Sequence, residues 1–177
     1  DAYWQAKRKL FAWSGLASAV VNVDDRHGAA LAQELALQRV DLWTTSSQGA
    51  ARLQARNIDY GAQGLTFEVV EEGAGVQTLA SRMIGSYNIS NLLGVVAAMR
   101  ALGIPLASAV QACAALQPVP GRMECIVVPG QPLVAVDYAH TPDALGKALC
   151  ALKPLAQQRG GRLWCVFGCG GDRDASK

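Results

Sequence analysis

An α/β fold is predicted: a mixed sheet with helices, followed by the first βαβ of a Rossmann-like, mostly parallel sheet. Three observations lead there. Short apolar runs of strand length alternate with stretches of 3.6-residue periodicity. A break at Gln117-Pro118-Val119-Pro120-Gly121 separates two such sets, which divides the chain into residues 1–118 and 119–177. After the break, an apolar run from Leu133 to Val136 delivers Asp137, Tyr138 and His140 directly into a helix start. Strand ends that feed helix N-termini are where open α/β sheets hold nucleotides and phosphates.

The elements follow in order. Tyr3, Ala6, Leu10 and Trp13 recur at helical spacing, so residues 1–13 read as an amphipathic helix already under way. Ala19 to Val23 is a short apolar strand, Ala29 to Arg39 a helix, and Asp41 to Thr45 a second strand. Between Ala51 and Ala80, Leu65 to Val70 and Val76 to Leu79 are β-rich and separated by glycines, which predicts antiparallel strands or hairpins. From Ser86 onward, Ile89, Leu92, Leu93, Val96 and Met99 form one helix face, stopped by Gly103 and Pro105. A second helix covers Leu106 to Leu116. Beyond the break lie strands at Cys125 to Val128 and Leu133 to Val136. A helix from Pro142 to about Arg159 comes next, with Leu145, Ala148, Leu149, Leu152 and Leu155 inward, and then a strand at Arg162 to Phe167. Thr141 is placed as N-cap, Pro142 at the first helical position and Asp143 in the first turn.

Composition narrows the function classes. With 51% hydrophobic and 17% charged residues in 177, the chain can bury a real core. A net charge of +2 argues neither for nucleic acid nor for an acidic membrane surface. No apolar run approaches the roughly 20 residues that span a bilayer, so no membrane insertion is expected. The five cysteines are odd in number and lack C-x-x-C spacing, which favours reduced, structural thiols and a cytoplasmic location. Cys165 reads as a residue inside an apolar strand and Cys169 as a loop residue. Asp1-Ala2-Tyr3-Trp4 has no initiator Met, and Lys177 falls where a Gly-rich loop should feed its next helix. A fragment of a longer protein is expected.

Several residue types suit a nucleotide site. Asp137, at a strand's carboxyl end, can accept hydrogen bonds from ribose hydroxyls, and His140 can flank a base or phosphate. A bland alternative is an acid that caps a neighbouring helix. Arg122, just past the break, can reach phosphate oxygens as a bidentate donor, with Glu124 at the strand edge or supporting it. Asn88 and Asn91 share a face near a helix start, where amides can both donate and accept. Asp24, Asp25 and His27 could suggest a metal cluster, but an acid there is better read as the cap of the following helix. Gly168 to Asp174 is a Gly-rich loop whose exposed N–H groups can form an anion nest.

Three separated motifs, Gly121-Arg122-Met123-Glu124, Val136-Asp137-Tyr138-Ala139-His140-Thr141-Pro142-Asp143-Ala144-Leu145 and Gly168-Cys169-Gly170-Gly171-Asp172-Arg173-Asp174, occur in an order that resembles the Mur ligase family. The resemblance is strongest to the members that add the third residue of the peptidoglycan stem peptide. It implies an ATP-dependent amide ligase that joins meso-diaminopimelate to UDP-MurNAc-L-Ala-D-Glu through an acyl phosphate, with ATP and Mg²⁺. The alternatives are an L-lysine-adding member, a folylpolyglutamate synthase-like ligase, or a non-catalytic nucleotide-binding module. The fold implied is the C-terminal half of the central ATPase domain followed by the start of the C-terminal, amino-acid-binding domain.

By the same resemblance, Asn88 and Asn91 (in Gly85-x-Tyr87-Asn88-x-x-Asn91) line the adenine pocket, Asp137 contacts the ribose and Arg122 sits beside ATP at a hinge. Arg173 and Asp174 serve the incoming amino acid, with Arg173 on its carboxylate, and Lys177 lies near phosphate. Lys7, in Tyr3-Trp4-Gln5-Ala6-Lys7-Arg8-Lys9-Leu10-Phe11, aligns with a lysine converted to a carbamate that supports Mg²⁺. That chemistry needs a neutral amine, so burial of Lys7 is expected. Arg8 and Lys9 read as a solvated face. The partners implied are the UDP-MurNAc-dipeptide and a diamino acid, and the parent is expected to be a monomer. No G-x-x-x-x-G-K-[ST] loop occurs in these residues, so on their own they are expected to bind ATP poorly and not to catalyse.

Overall fold

A computed structural model describes residues 2–61 and 64–168. The element order is α1 (Ala2–Arg8), a 3₁₀ turn (Lys9–Ala12), β1 (Ser18–Asn22), α2 (Arg26–Ala36), β2 (Asp41–Ser46), β3 (Leu53–Gly61), β4 (Gly64–Glu71) and β5 (Gly75–Ser81). There follow α3 (Tyr87–Ala101), α4 (Leu106–Ala114), β6 (Glu124–Ile126), β7 (Val134–Val136) and α5 (Pro142–Gln158).

The first five strands form one mixed sheet in sequence order. β1 and β2 pair in parallel from Ser18↔Asp41 to Asn22↔Thr45, the arrangement that a helical crossover such as α2 permits. β2 and β3 are parallel through only Thr45↔Leu53 and Ser46↔Gln54. β4 and β5 pair antiparallel, as the two glycine-separated β-rich patches predict, and β3, for which the sequence predicts no strand, pairs antiparallel with β4. Alternation along β4 turns Leu65, Phe67 and Val69 inward. They pack with Leu53 and Leu79, against Ile89, Leu92, Leu93 and Val96 of α3 and Ala109, Val110 and Cys113 of α4. Each such large side chain contributes about 1.5–3 kcal/mol on burial.

Two polar arrangements hold the edges of this core. Glu71, 5% exposed at the end of β4, accepts from Arg100 Nε (2.7 Å) and Nη2 (3.0 Å), while Arg100 Nη1 donates to the Ile104 carbonyl (2.6 Å). That pairing raises the Arg100 pKa further above its ordinary value, against the opposing effect of burial. At the carboxyl ends of the parallel strands β1 and β2, Asp24 accepts from the Ser46 hydroxyl and from Ser47 N and Oγ (both 2.9 Å). Burial alone would raise the Asp24 carboxyl, but these donors outweigh it and hold it below the ordinary carboxylate range. Asp25 is the cap of α2, accepting from His27 N (2.8 Å) and Gly28 N (3.0 Å).

Two expectations are corrected, and one pairing that the sequence left open is fixed. The buried face of the first helix is not Tyr3, Leu10 and Trp13, which are 73%, 62% and 72% exposed. Trp4 and Phe11 pack instead against the cluster of Ala19, Val21, Leu31 and Leu35. The chain tightens from α-helix to 3₁₀ after Arg8, so a strict 3.6 period misplaces the stripe. β6 and β7 pair antiparallel, Glu124↔Val136 through Ile126↔Val134. Residues 161–168 carry no strand: Trp164, Val166 and Phe167 are exposed, and so is Cys165. An apolar run supplies β propensity, but a strand exists only where a neighbouring strand completes its hydrogen bonds.

Candidate functional site

The site is built where the two sets of elements meet. α3 opens after a left-handed Gly85 (φ +101°), whose missing Cβ leaves room for the Tyr87 ring. A Cβ there would lie 2.7 Å from Tyr87 Cε1. One turn on, Asn88 Nδ2 donates to the Ile84 carbonyl (2.8 Å) and Asn91 Nδ2 donates to Asn88 Oδ1 (3.1 Å). The three-residue spacing thus puts both amides on one face, as the sequence predicts.

Opposite them stands the turn that follows α4. Gly121 N donates to Glu124 Oε2 (2.9 Å), so Glu124 supports the turn that carries Arg122. Met123, 2% exposed, takes a left-handed φ of +50°, and its N–H donates to Asp137 Oδ2 (3.0 Å). The other oxygen, Oδ1, accepts from Ala139 N (2.8 Å). Asp137 is therefore oriented by backbone donors on both oxygens, while each oxygen keeps a further lone pair. The Arg122 guanidinium lies 5.3 Å from the Tyr138 ring centroid.

Asn88, Asn91, Arg122 and Asp137 line one cavity of about 370 Å³ together with Tyr87 and Lys147. Burial pushes the Tyr87 hydroxyl pKa up and the Asp137 charge adds to this, while Arg122 opposes it. The arrangement offers amides for a base edge, a carboxylate for hydroxyls and a guanidinium for phosphate oxygens. Beside it α5 begins as predicted, with Thr141 Oγ1 accepting from Ala144 N (3.2 Å) and Pro142 in the first turn.

Four predicted residues are thus brought together. His140 is not among the lining residues. It is exposed, with Nδ1 3.1 Å from the Tyr138 carbonyl and its ring 5.6 Å from that of Tyr138. Lys7 is exposed on α1 with Nζ 4.5 Å from the Tyr3 ring centroid, so the burial expected of it is not provided by these residues. No group of three or more His, Cys, Asp or Glu suited to a metal ion forms among the described residues. Arg173, Asp174 and Lys177 lie outside the described residues. Two polar lining residues have no site role in the sequence reading: Tyr87 enters it only as the aromatic of a motif, and Lys147 does not enter it. Lys147 shares a helix face with Ala144 and Ala148, a spacing of three and four that could have found it. Lys147 Nζ pairs with Asp143 Oδ2 at 2.7 Å, one turn earlier on α5.

Comparison with known proteins adds the following. A family model described as "Mur ligase middle domain" matches residues 1–99, and one described as "Mur ligase, glutamate ligase domain" matches residues 121–177. The chain is 66% identical over 176 residues to the UDP-N-acetylmuramoyl-L-alanyl-D-glutamate--2,6-diaminopimelate ligase of Acidovorax sp. (strain JS42), covering 99% of this chain and 35% of that protein. It is 45% identical over 183 residues to the enzyme of the same name from Janthinobacterium sp. (strain Marseille), with 99% and 36% covered. Among solved structures, one titled as a UDP-N-acetylmuramoyl-L-alanyl-D-glutamate--2,6-diaminopimelate ligase superposes with a TM-score of 0.75 at 36% identity. That match covers 98% of this chain and 35% of the other. The chain therefore spans about a third of the length of the curated relatives it matches.

Proposed function

Because this chain belongs to the Mur ligase family, we propose that the protein containing it is an ATP-dependent ligase joining meso-diaminopimelate to UDP-MurNAc-L-Ala-D-Glu. The observation that carries this is the cavity shared by Asn88, Asn91, Arg122 and Asp137, drawn from both sides of the Pro118–Gly121 break. The 66% identity to a diaminopimelate-adding relative supports the choice of amino acid.

In the chemistry implied, the carboxylate of the UDP-MurNAc-dipeptide attacks the γ-phosphorus of ATP and ADP leaves. The amine of the diamino acid then attacks the acyl phosphate carbonyl, forming the amide and releasing phosphate. Such transfer depends on positioning and charge neutralisation rather than on a protein nucleophile. Asn88 and Asn91 would hold the base edge, Asp137 the ribose hydroxyls and Arg122 the phosphate oxygens, with His140 approaching from beside Tyr138. Arg173 and Asp174 would receive the amino acid and Lys177 a phosphate, on the resemblance alone. Lys7 stays the candidate carbamate for Mg²⁺ on the same ground. Its exposure, and the absence of clustered ligands among the described residues, do not fit a metal site formed by these residues, so no step here runs through the metal. The domain division at 118/119 makes the Pro118–Gly121 segment the hinge on which the two sides of the cavity would close. No helix among the described residues is long and apolar enough to cross a membrane, and a cytoplasmic monomer is proposed.

Phosphate release by the whole protein, with ATP, Mg²⁺ and UDP-MurNAc-L-Ala-D-Glu, tests this. Release only on adding meso-diaminopimelate is the expected result. Release only with L-lysine would transfer the assignment to the lysine-adding type, and none with either would overturn the ligase.

A further inference from the structure

Next to the nucleotide cavity lies a larger one of about 530 Å³, to which the ligase chemistry assigns no ligand. We propose that it is a second small-molecule site, for a flat, largely apolar ligand carrying one negative charge, whose occupancy is coupled to nucleotide binding. Only the coupling rests on the nucleotide assignment above.

Its size falls within the roughly 300–1,000 Å³ of ordinary ligand pockets, which are mostly apolar with a few placed polar groups. Its walls come from four places: the end of β3 and the start of β4 with Tyr60 and Leu65, the turn after β2 with Ser47 and Gln48, the start of α3 with Tyr87 and Ser90, and α5 with Cys150 and Leu155. Ile84 and Leu155 belong to the buried cluster beneath α5, so the apolar wall is continuous with a packed core. Gln158 Nε2 donates to the Tyr60 carbonyl (3.2 Å) and ties the end of α5 to the hairpin. Two aromatic rings, Tyr60 and Tyr87, suit a planar body.

The charge of the ligand follows from the lining. Among the lining side chains Lys147 contributes the one formal charge, no Asp or Glu is present, and the remaining polar groups are hydroxyls, an amide and the Cys150 thiol. Lys147 is already paired with Asp143, but that pair is solvent-exposed (68% and 76%), so a ligand anion can take over the ammonium at little cost.

The coupling follows from shared walls. Tyr87 and Lys147 line both cavities. A nucleotide that draws either side chain changes the second cavity, and by linkage a ligand there must change nucleotide affinity by the same factor.

The test uses the whole protein and naphthalene-2-sulfonate, a planar aromatic monoanion. Saturable binding is expected to slow N-ethylmaleimide alkylation of Cys150 by about fivefold or more while alkylation of the exposed Cys165 is unchanged, since the probe excludes reagent only where it sits. Cys150→Trp, which fills the cavity from an exposed position, is expected to weaken the probe about tenfold without shifting the melting temperature, whereas Cys150→Ser leaves binding intact. No probe binding, or binding that leaves Cys150 equally reactive in the wild-type protein, overturns the site whether or not the Trp variant folds. Saturating ATP is expected to change the probe's Kd at least about threefold, with the reciprocal effect on ATP, and equal Kd values overturn the coupling. Failure of ATP to bind at all would strike the nucleotide assignment instead, and protection of Cys150 would still decide the cavity.

Discussion

Asp137 does two jobs that compete for one side chain. Its oxygens hold Met123 in a left-handed conformation and start the Tyr138–His140 segment, and the same carboxylate faces the candidate nucleotide cavity. A non-glycine residue at φ +50° costs about 1–3 kcal/mol and persists only where its surroundings enforce it. Asp137→Asn turns one acceptor into a donor facing a backbone N–H. ATP affinity of the whole protein is expected to fall about tenfold, read by calorimetric titration, and an unchanged affinity would remove Asp137 from the site. Gly85 offers a purely steric test. Gly85→Ala adds a Cβ 2.7 Å from Tyr87 at a φ that L-residues avoid, so a stability loss of about 1–2 kcal/mol is expected in chemical denaturation. The asparagine pair and Arg122 were legible in the sequence because spacing and the break place them. Lys147 was not, because an exposed helical lysine looks like ordinary surface until a cavity is seen beneath it.

At the level of elements, Arg100 and Glu71 lock the last turn of α3 to the end of β4. A cation near a helix C-terminus is favourable by itself, and here it also neutralises a carboxylate only 5% exposed. Arg100→Met leaves that charge buried and unpaired, and a loss of about 3–5 kcal/mol is expected, with the Glu71→Met/Arg100→Met double variant recovering most of it. A double variant as unstable as the single one would show that the contribution is packing, not charge. The loop after β2 responds to pH in a defined direction. The Asp24 carboxyl is held below its ordinary range, so its stabilisation is present above that range and disappears as pH falls through it. Asp24→Asn is expected to flatten the acid limb of the stability curve between about pH 5 and 2, and an identical limb would discount the Ser46 and Ser47 contacts. Neither device could be read from the chain. Both join residues more than twenty positions apart, and nothing local marks the pairing.

For the whole molecule, the exposed loop around Pro118 to Arg122 links the five-stranded sheet to the part that carries α5. Trypsin is expected to cut the whole protein after Arg122, and ATP to slow that cut about tenfold by engaging the guanidinium. Cleavage at the same rate with and without ATP would take Arg122 out of the nucleotide contact.

The places of β1, α2, β2, β4, β5, α3, α4, β6, β7 and α5, the caps of α2 and α5, and the motif residues on either side of the break were determined by the sequence alone. They depend on periods and short-range bonds that a single stretch of chain carries. Which face of the first helix packs inward, that Leu53–Gly61 pairs as a strand and residues 161–168 do not, how Asp137 meets Met123, and that Tyr87 and Lys147 line two cavities were decided by tertiary structure. Each of these depends on where a distant segment lies, and neither propensity nor spacing encodes that distance.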